Sequence, residues 1–412
     1  MPKMDDYLVG IDIGCAKVGV LIGHPAEDGT VEVVGRGKSR NRGSRKGNIV
    51  NVDATVAALK EATEEAEVMA GVEISRGYVG VAGTDVRSVN SRGMVSVSRK
   101  DGEISEGDVR RVLDGAKSAA LPSDREVLHA IPQQFMIDDQ HGIADPLGMQ
   151  GKRLEVAVHL VTANVTRLKT LVNCVNKAGI EVIGPVFEPL ATAEAILTHD
   201  ERELGVLLLD IGSGTTEYAV FADGEIEHSA VLAVGATHFT NDLAMVLRTP
   251  WNEAEDIKRK YGCCLPGMVN QGEGVSVPTV AGGPPRVVPK PQLCDILQPR
   301  ANELLSLVRE DLIKFGYEES LRGGVVLTGG GSQLDGLLEM SEEIFDCGVR
   351  YGLPRGLGGL VDVINSPAWC TASGLLLHAL SERQASANRS KGNVFNIRGV
   401  VGRVRGMFSD LL

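Results

Sequence analysis

One short pattern occurs twice, with its aspartates Asp12 and Asp210 standing 198 positions apart, and it constrains this chain more than any other feature. Asp12-Ile13-Gly14 follows the apolar run Tyr7 to Ile11, and Asp210-Ile211-Gly212 follows Val206 to Leu209. Each leads through small residues into a second run, with Val or Ala-Val in it, so each reads as a strand, a glycine turn and a return strand. A third turn, Thr328-Gly-Gly-Gly-Ser332, follows Val325 to Leu327. A chain that repeats such a hairpin is expected to hold two similar domains facing one ligand.

Glycines after a strand let backbone N–H groups point at a phosphate with no Cβ in the way, and the hydroxyls of Ser213, Thr215 and Thr216 can add donors. Lys17 supplies positive charge. Asp12 and Asp210 stand at strand ends, where carboxylates hold Mg2+ through water because that ion keeps much of its hydration. A single turn of this kind is as readily just a tight turn. Three in this order, each behind a strand, argue for a phosphate-bearing ligand.

The 412 residues, 43% apolar and 23% charged, suit two to four globular domains with ample core. A net charge of -12 argues against a nucleic-acid binder. The seven cysteines lack CxxC spacing and point to a reducing compartment, and the eight histidines show no HxxxH or HExxH arrangement that would suggest zinc catalysis. The first apolar stretch is broken by Asp12 and Lys17, so it reads as a buried strand and no signal sequence. No run approaches the ~20 apolar residues of a spanning helix, and the chain is expected to be cytoplasmic unless something anchors it.

Along the chain, Val31 to Val34 reads as a strand, Arg36 to Lys46 as a basic Gly/Ser loop, and Asn51 to Ala70 as a helix before a strand at 76–82. Residues 84–163 change character: Val86 to Val89 and Met94 to Val97 alternate, Ser105 starts a helix to Ala120, and strands follow near 127–137 and 154–161. A helix from Leu168, a strand from Glu181 and a helix from Glu188 return to the first unit. The second unit opens at Leu204. Its insert carries helices from His238 and Asn252, then a Gly/Pro-rich stretch, Pro266 to Pro291, of loops and short edge strands. A helix runs from Asp295 to Phe315 and the last from 366 to 380, followed by a polar linker to Gly392.

The three turns resemble the phosphate 1, phosphate 2 and adenosine motifs of the actin, Hsp70 and sugar-kinase superfamily. Within it the chain is similar to the FtsA family of bacterial cell-division actin homologues from about Tyr7 to Leu380. Val50-Asn-Val-Asp-Ala-Thr55, Asn90-Ser-Arg-Gly93, Glu188-Pro-Leu-Ala191, Leu247-Arg-Thr-Pro250, Ile257-Lys258 with Tyr261-Gly262, and Pro354 to Asp362 carry that likeness. The resemblance implies an α/β, actin-like ATPase fold: two related RNase H-like domains around a nucleotide cleft, an FtsA-type α+β insert in the first and a subdomain insert in the second. It divides the chain into subdomain 1A (1–84, 164–202 and 366–380), 1C (85–163), 2A (203–229 and 300–365), 2B (230–299), a linker (381–392) and a terminal helix (393–412).

The resemblance further implies ATP with Mg2+, phosphates held by Gly14, Cys15, Ala16, Lys17 and by Gly212, Ser213, Gly214, Thr215 and Thr216, and adenosine met by Gly329, Gly330, Gly331 and Ser332. Gly235 is a further nucleotide-side glycine, Glu255 and Lys258 close over the site, and Glu188 takes the connecting position where relatives place a carboxylate near the attacking water. Cys15 and Ala16 stand where Ser or Thr is usual, Glu217 where Asp is usual, and Ala236 where a second glycine is common. ATP is therefore expected to bind but turn over slowly, as a conformational switch.

At the C-terminus Val394, Ile397, Val400, Val401, Val404, Met407, Phe408, Leu411 and Leu412 fall within an arc of about 140° on a helical wheel, with Arg398 and Arg405 at one edge. That suits a helix lying in an anionic membrane interface; the alternative is a terminal helix docked on the protein's own core. The family resemblance implies membrane targeting, head-to-tail filaments, contacts with other division proteins, and attachment of the FtsZ tail to the second insert near Arg300. The expected place is the cytoplasmic face of the cell membrane at the division septum, as a peripheral protein. An FtsA-related pilus-assembly scaffold and a metabolic kinase of the same superfamily are the alternatives.

Overall fold

The computed structural model describes residues 7–118, 122–280 and 282–390, the side chains of 388–390 excepted. In the first half β1 (Leu8–Ile13), β2 (Lys17–Pro25) and β3 (Val31–Arg40) precede the small hairpin of β4 (Ser44–Arg45) and β5 (Asn48–Ile49), helix α1 (Val52–Ala70) and β6 (Arg76–Val81). An insert follows, of β7 (Arg87–Ser96), α2 (Glu106–Ser118), β8 (Arg125–Ile137), β9 (Gln140–Ile143) and β10 (Arg153–Asn164). The chain returns through α3 (Val165–Lys177), β11 (Glu181–Phe187), α4 (Glu188–Ile196) and α5 (His199–Leu204). The second half opens with β12 (Val206–Ile211), β13 (Thr216–Ala222) and β14 (Glu225–Leu232), then α6 (Ala236–Leu247), α7 (Trp251–Tyr261), the hairpin β15 (Gly274–Val277) and β16 (Arg286–Pro289), and α8 (Lys290–Phe315). It ends with β17 (Val325–Thr328), α9 (Leu337–Phe345), β18 (Val349–Tyr351), β19 (Leu357–Gly359) and α10 (Cys370–Ser390).

The two halves share one sheet topology. The order β11-β6-β1-β2-β3 in the first corresponds strand for strand to β18-β17-β12-β13-β14 in the second. In both, the opening hairpin is antiparallel and the strand on its other side is parallel. Both sheets are covered on both faces, which is why their strands are nearly continuous apolar runs. In the first sheet Val9, Ile11, Val18 and Val20 face α1 and α3, while Leu8, Leu21, Val31 and Val33 face Trp369 and α10. In the second, Leu207, Leu209 and Val220 face α6 and α8, while Val206, Leu208 and Ala219 face α4.

Several elements differ from the sequence expectation. The basic stretch after Val34 is not a loop to begin with: β3 runs on to Arg40. Gly35 and Gly37 permit this because α1 lies against them at backbone contact. A Cβ on Gly37 would come 1.7 Å from the Ala62 carbonyl oxygen, and one on Gly35 2.5 Å from that of Ala66. The two alternating segments around Asn90-Ser-Arg-Gly93 form one strand, β7. α8 starts five residues before Asp295, with Pro289 at its N-cap and Pro291 in the first turn, where a missing N–H costs nothing. β19 pairs in parallel with β3, so 357–359 belong to the first sheet although the sequence groups them with the second unit. α10 continues through the stretch read as a linker as far as Ser390, since nothing between Ser381 and Ser390 breaks a helix. α5, with its Thr198/Glu201 capping box, and β9 were not expected.

The insert forms a separate sheet, β7-β10-β8-β9, closed by α2. It leaves the first half after β6 but docks on β14, the edge strand of the second. Asn90 Nδ2 donates to the Glu227 carbonyl (2.9 Å), Gln133 Nε2 to that of Ile226 (2.9 Å), and Ser88 Oγ to that of Ser229. The buried His159 ring joins Asn90 Oδ1 (2.6 Å) to Ser229 Oγ (2.9 Å), and burial, then His228, pushes it down to about 3, so it is neutral. Among the described residues no helix is long and apolar enough to cross a membrane.

Candidate functional site

The repeated hairpins bring their turns together. β1 and β2 pair as far as Ile13↔Val18, and β12 and β13 as far as Ile211↔Thr216, so each closes on the four residues between. Cys15 Sγ accepts the Gly47 N–H (3.0 Å) and lies beneath Gly214 of the other turn, where a Cβ would come within 2.7 Å of the sulfur. Burial, then Glu217, Glu188 and Asp12, raises the Cys15 thiol against the Gly47 hydrogen bond, which keeps it protonated and a weak donor.

Helix α6 starts at Gly235 against the second turn. Ala236 N–H donates to the Gly212 carbonyl (2.9 Å) and Thr237 N–H to that of Ser213 (2.8 Å). A Cβ at 235 would sit 2.8 Å from both Gly212 O and Thr215 N, so backbone contact with the turn requires glycine there. The hydroxyls expected to face a phosphate already have protein partners: Thr216 Oγ1 donates to Val234 O (2.8 Å), Ser213 Oγ pairs with Thr237 Oγ1 (2.9 Å), and Thr215 bonds Glu217.

Four buried carboxyl groups gather beneath the turns: Asp12, Glu188, Asp210 and Glu217. Asp12 is matched by Lys17 Nζ at 2.6 Å. Asp210 faces Glu217 directly across the β12–β13 ladder and, among the described residues, takes only a hydrogen bond from Thr371 Oγ1, at 3.3 Å. Burial, then Asp12, pushes Asp210 up to about 7; burial, then Asp210, pushes Glu217 up to about 8. Glu188, the first residue of α4, is raised well above the carboxylate range by burial and then by Asp12, Glu217 and Asp210. At neutral pH this group holds protons that it would release to a cation. Glu217 Oε1 has no hydrogen-bond partner although it is fully buried.

That orphaned oxygen and the crowded carboxyls fit a divalent cation. Among the described residues, however, no three such groups converge closely enough to ligate a metal directly. The geometry therefore suits an ion that keeps water between itself and Asp12 and Asp210. α4, α6 and α10 all begin at this cluster, and the positive ends of their dipoles favour an anion there.

The third turn packs behind the second. A Cβ on Gly331 would meet Ile211 O at 2.8 Å, one on Gly329 would meet Asp210 Oδ1, and Ser332 Oγ donates back to Gly329 O (2.8 Å). A Cβ on Gly330 would touch only the Ala368 Cβ, at 4.0 Å. Lys258 Nζ reaches Glu255 Oε2 (2.7 Å), Thr240 Oγ1 (2.8 Å) and Ala236 O (3.0 Å), so this pair stands at the start of α6 beside Gly235. All the cleft residues expected from sequence thus lie in one region, and three others join them. Glu217, Thr371 and Trp369 stand within it; of these the sequence had pointed only to Glu217, which ends the second turn where the family usually has Asp.

Arg300 lies elsewhere, held by Asp242 (2.8 Å) and by Glu303. The terminal residues Val394, Ile397, Arg398, Val401, Val404, Arg405, Met407, Phe408, Leu411 and Leu412 lie outside the described residues.

The chain is 44% identical to a cell division protein FtsA of Pseudomonas aeruginosa, over 93% of this chain and 91% of that protein. It is 38% identical to the one of Escherichia coli K12, over 90% and 89%. The family model for cell division protein FtsA matches residues 207–374, and the model for the SHS2 domain inserted in FtsA matches residues 83–162. Among solved structures, the PilM-PilN type IV pilus biogenesis complex aligns with a TM-score of 0.67 at 17% identity, covering 90% of this chain and 98% of that one. MreB5 of Spiroplasma citri bound to ADP aligns at 0.57 and 14%, covering 94% and 100%. The structural likenesses establish an actin-like ATPase fold, and the sequence relatives establish that the chain belongs to the FtsA family of cell-division proteins.

Proposed function

We propose that this protein binds ATP with Mg2+ in the cleft between its two sheets and uses the bound state as a switch for assembly in cell division. The observation that carries this reading is the meeting of the two hairpin turns over four buried carboxyl groups and one lysine. Backbone N–H groups of Gly14 to Lys17 and Gly212 to Thr216 would cradle the phosphates, with Lys17 as their cation; Gly329 to Ser332, Gly235, Glu255 and Lys258 would border the adenosine. Asp12 and Asp210 would hold the Mg2+ through water, and the ion would supply charge neutralisation for phosphoryl oxygens. Glu188 is the candidate base, yet burial and the neighbouring carboxyls raise it and so disfavour its charged form, and Cys15 gives no strong donor. Both features favour slow turnover.

The protein would polymerise and tether the FtsZ ring to the cytoplasmic membrane, as a peripheral protein at the septum, through the amphipathic segment 393–412. Arg300, to receive the acidic FtsZ tail, would exchange Asp242 and Glu303 for it. Calorimetric titration of the purified chain with ATP, with and without Mg2+, tests the cleft; Mg2+-independent affinity refutes the metal assignment and rapid single-turnover hydrolysis refutes the switch. Flotation with anionic vesicles, with and without 393–412, and pull-down with the FtsZ C-terminal peptide test the tether. Equal flotation of both forms, or no peptide capture, removes it.

A further inference from the structure

The basic stretch after Val34 gains an unforeseen arrangement from β3. In the β2–β3 ladder Lys17 stands opposite Arg40, Gly19 opposite Lys38 and Leu21 opposite Arg36, and directly opposed residues project from the same face. A bulge at Ile22/Gly23 sets the phase. Before it Val31 and Val33 face α10; after it Gly35 and Gly37 face α1, which turns Arg36, Lys38 and Arg40 toward Trp369 and the cleft. Gly19 leaves the middle of this face bare, with the Trp369 ring and Lys17 Nζ 3.0 and 3.1 Å from where its Cβ would be. Lys17 Nζ and Arg36 Cζ both lie over that ring, 4.8 and 5.0 Å from its centroid.

Like charges directly opposed on antiparallel strands destabilise a sheet. Of these four cations only Lys17 has a carboxylate partner among the described residues. Arg36 Nε is buried with no acceptor. The Glu65 carboxylate beneath Lys38 accepts the Lys38 backbone N–H, at 2.8 Å. Arg259 on α7 adds a fifth charge from across the cleft, where Arg40 Nη2 reaches Asn252 Oδ1 (3.4 Å). Burial, then Lys17, Arg259 and Arg36, lowers the Lys38 ammonium, and the nearby Glu65 carboxylate offsets this only in part.

We propose that Arg36, Lys38 and Arg40, with Arg259 opposite, form an anion site at the cleft mouth, beside the first glycine turn, that takes a chain of phosphates. Arg36 to Arg40 spans about 13 Å of strand, longer than one phosphate, and a row of cations at every second residue suits a linear polyanion. Guanidinium forks bind phosphate oxygens in pairs. The chain could be a free oligophosphate or a phosphate tail longer than that of ATP. This inference goes beyond the nucleotide reading and does not require it.

Calorimetry of the full chain with tripolyphosphate, ATP and adenosine tetraphosphate, with Trp369 fluorescence as a second readout, tests the site. Tripolyphosphate is expected to bind the unmodified protein and to lose at least tenfold in affinity in the double variant Arg36→Gln/Lys38→Gln and on raising the salt. ATP affinity should change less than threefold in that variant, so failure of this site and of the nucleotide cleft are distinguishable. Arg40→Gln, at an exposed position, repeats the test without disturbing Trp369. Tripolyphosphate binding that persists at saturating ATP identifies a free oligophosphate; adenosine tetraphosphate binding at least tenfold tighter than ATP, in the unmodified protein alone, identifies a nucleotide tail. No tripolyphosphate binding, or equal binding by all variants, overturns the proposal.

Discussion

The hairpins β1–β2 and β12–β13 have the same register, the same turn length and the same neighbours, yet opposite electrostatics. Across from Asp12 stands Gly19, and Lys17 swings in to neutralise the aspartate. Across from Asp210 stands Glu217, and among the described residues neither has a salt-bridge partner, Lys17 lowering Asp210 only from the other hairpin. One backbone plan has produced a self-balanced turn and a turn that is short of positive charge. On the proposed reading, a bound cation would relieve the second hairpin, and Lys17 of the first would orient the phosphates.

The strongest way to break this comparison is Lys17→Met. It leaves Asp12 buried and unpaired, a loss of about 3–5 kcal/mol for such pairs, and nucleotide affinity measured by titration should fall at least ~100-fold. Thr216→Val, on the other hairpin, only removes a hydrogen bond to Val234 O and should cost about 1 kcal/mol of stability with affinity little changed.

The pH dependence of stability should come from the second hairpin. Asp210 and Glu217, ordinarily at 3.8 and 4.5, are raised to about 7 and about 8 in the fold. Groups raised this way stabilise fully below their unfolded values, and that contribution is lost as pH rises through the folded ones. The melting temperature of the nucleotide-free protein should therefore fall between pH 5 and 8. Asp210→Asn should flatten the fall, and Mg2+ should reduce it; a flat profile in the unmodified protein contradicts the charge imbalance.

Contact between the halves is sharpened by a pair of substitutions. Gly214→Ala forces a methyl against Cys15 Sγ and should weaken nucleotide binding about tenfold, near the 1–3 kcal/mol typical of overpacking. Adding Cys15→Ala should restore most of it. Additive losses in the double variant would show that the turns act separately. The smallest effect expected is from Cys15→Ser alone, where a hydroxyl replaces the weak thiol donor and tightens ATP binding roughly threefold, a fraction of a full hydrogen bond to a charged group.

Much of the fold was readable in the chain because local chemistry announces it. Asn51 caps α1 through the Ala54 N–H, and the apolar runs before each glycine turn became β1, β12 and β17. What stayed hidden depended on contacts remote in sequence. Gly37 read as a loop glycine, because only the position of α1 shows that a strand at 35–37 must lack side chains facing it. β19 pairs with a strand more than 300 residues earlier, and no local signal specifies such a partner. At the site, Asp12, Asp210 and Glu188 were recognisable by position, whereas the burden on Glu217 follows from four carboxyls meeting in space. The hydroxyls of Ser213 and Thr216 read as donors to a ligand, and the fold uses them to tie the turn to α6 and to Val234 just after β14.

The seam between the insert and β14 has a mechanical consequence. The insert is threaded through the first half but fastened to the second by Asn90, Gln133 and His159. The molecule is thus buttoned at two ends, at the cleft floor and at this far edge. Any hinge that parts the sheets has to unbutton the seam or swing the insert as a lever arm. A displacement too small to notice at Cys15 and Gly214 would then be amplified at β9, on the outermost rim.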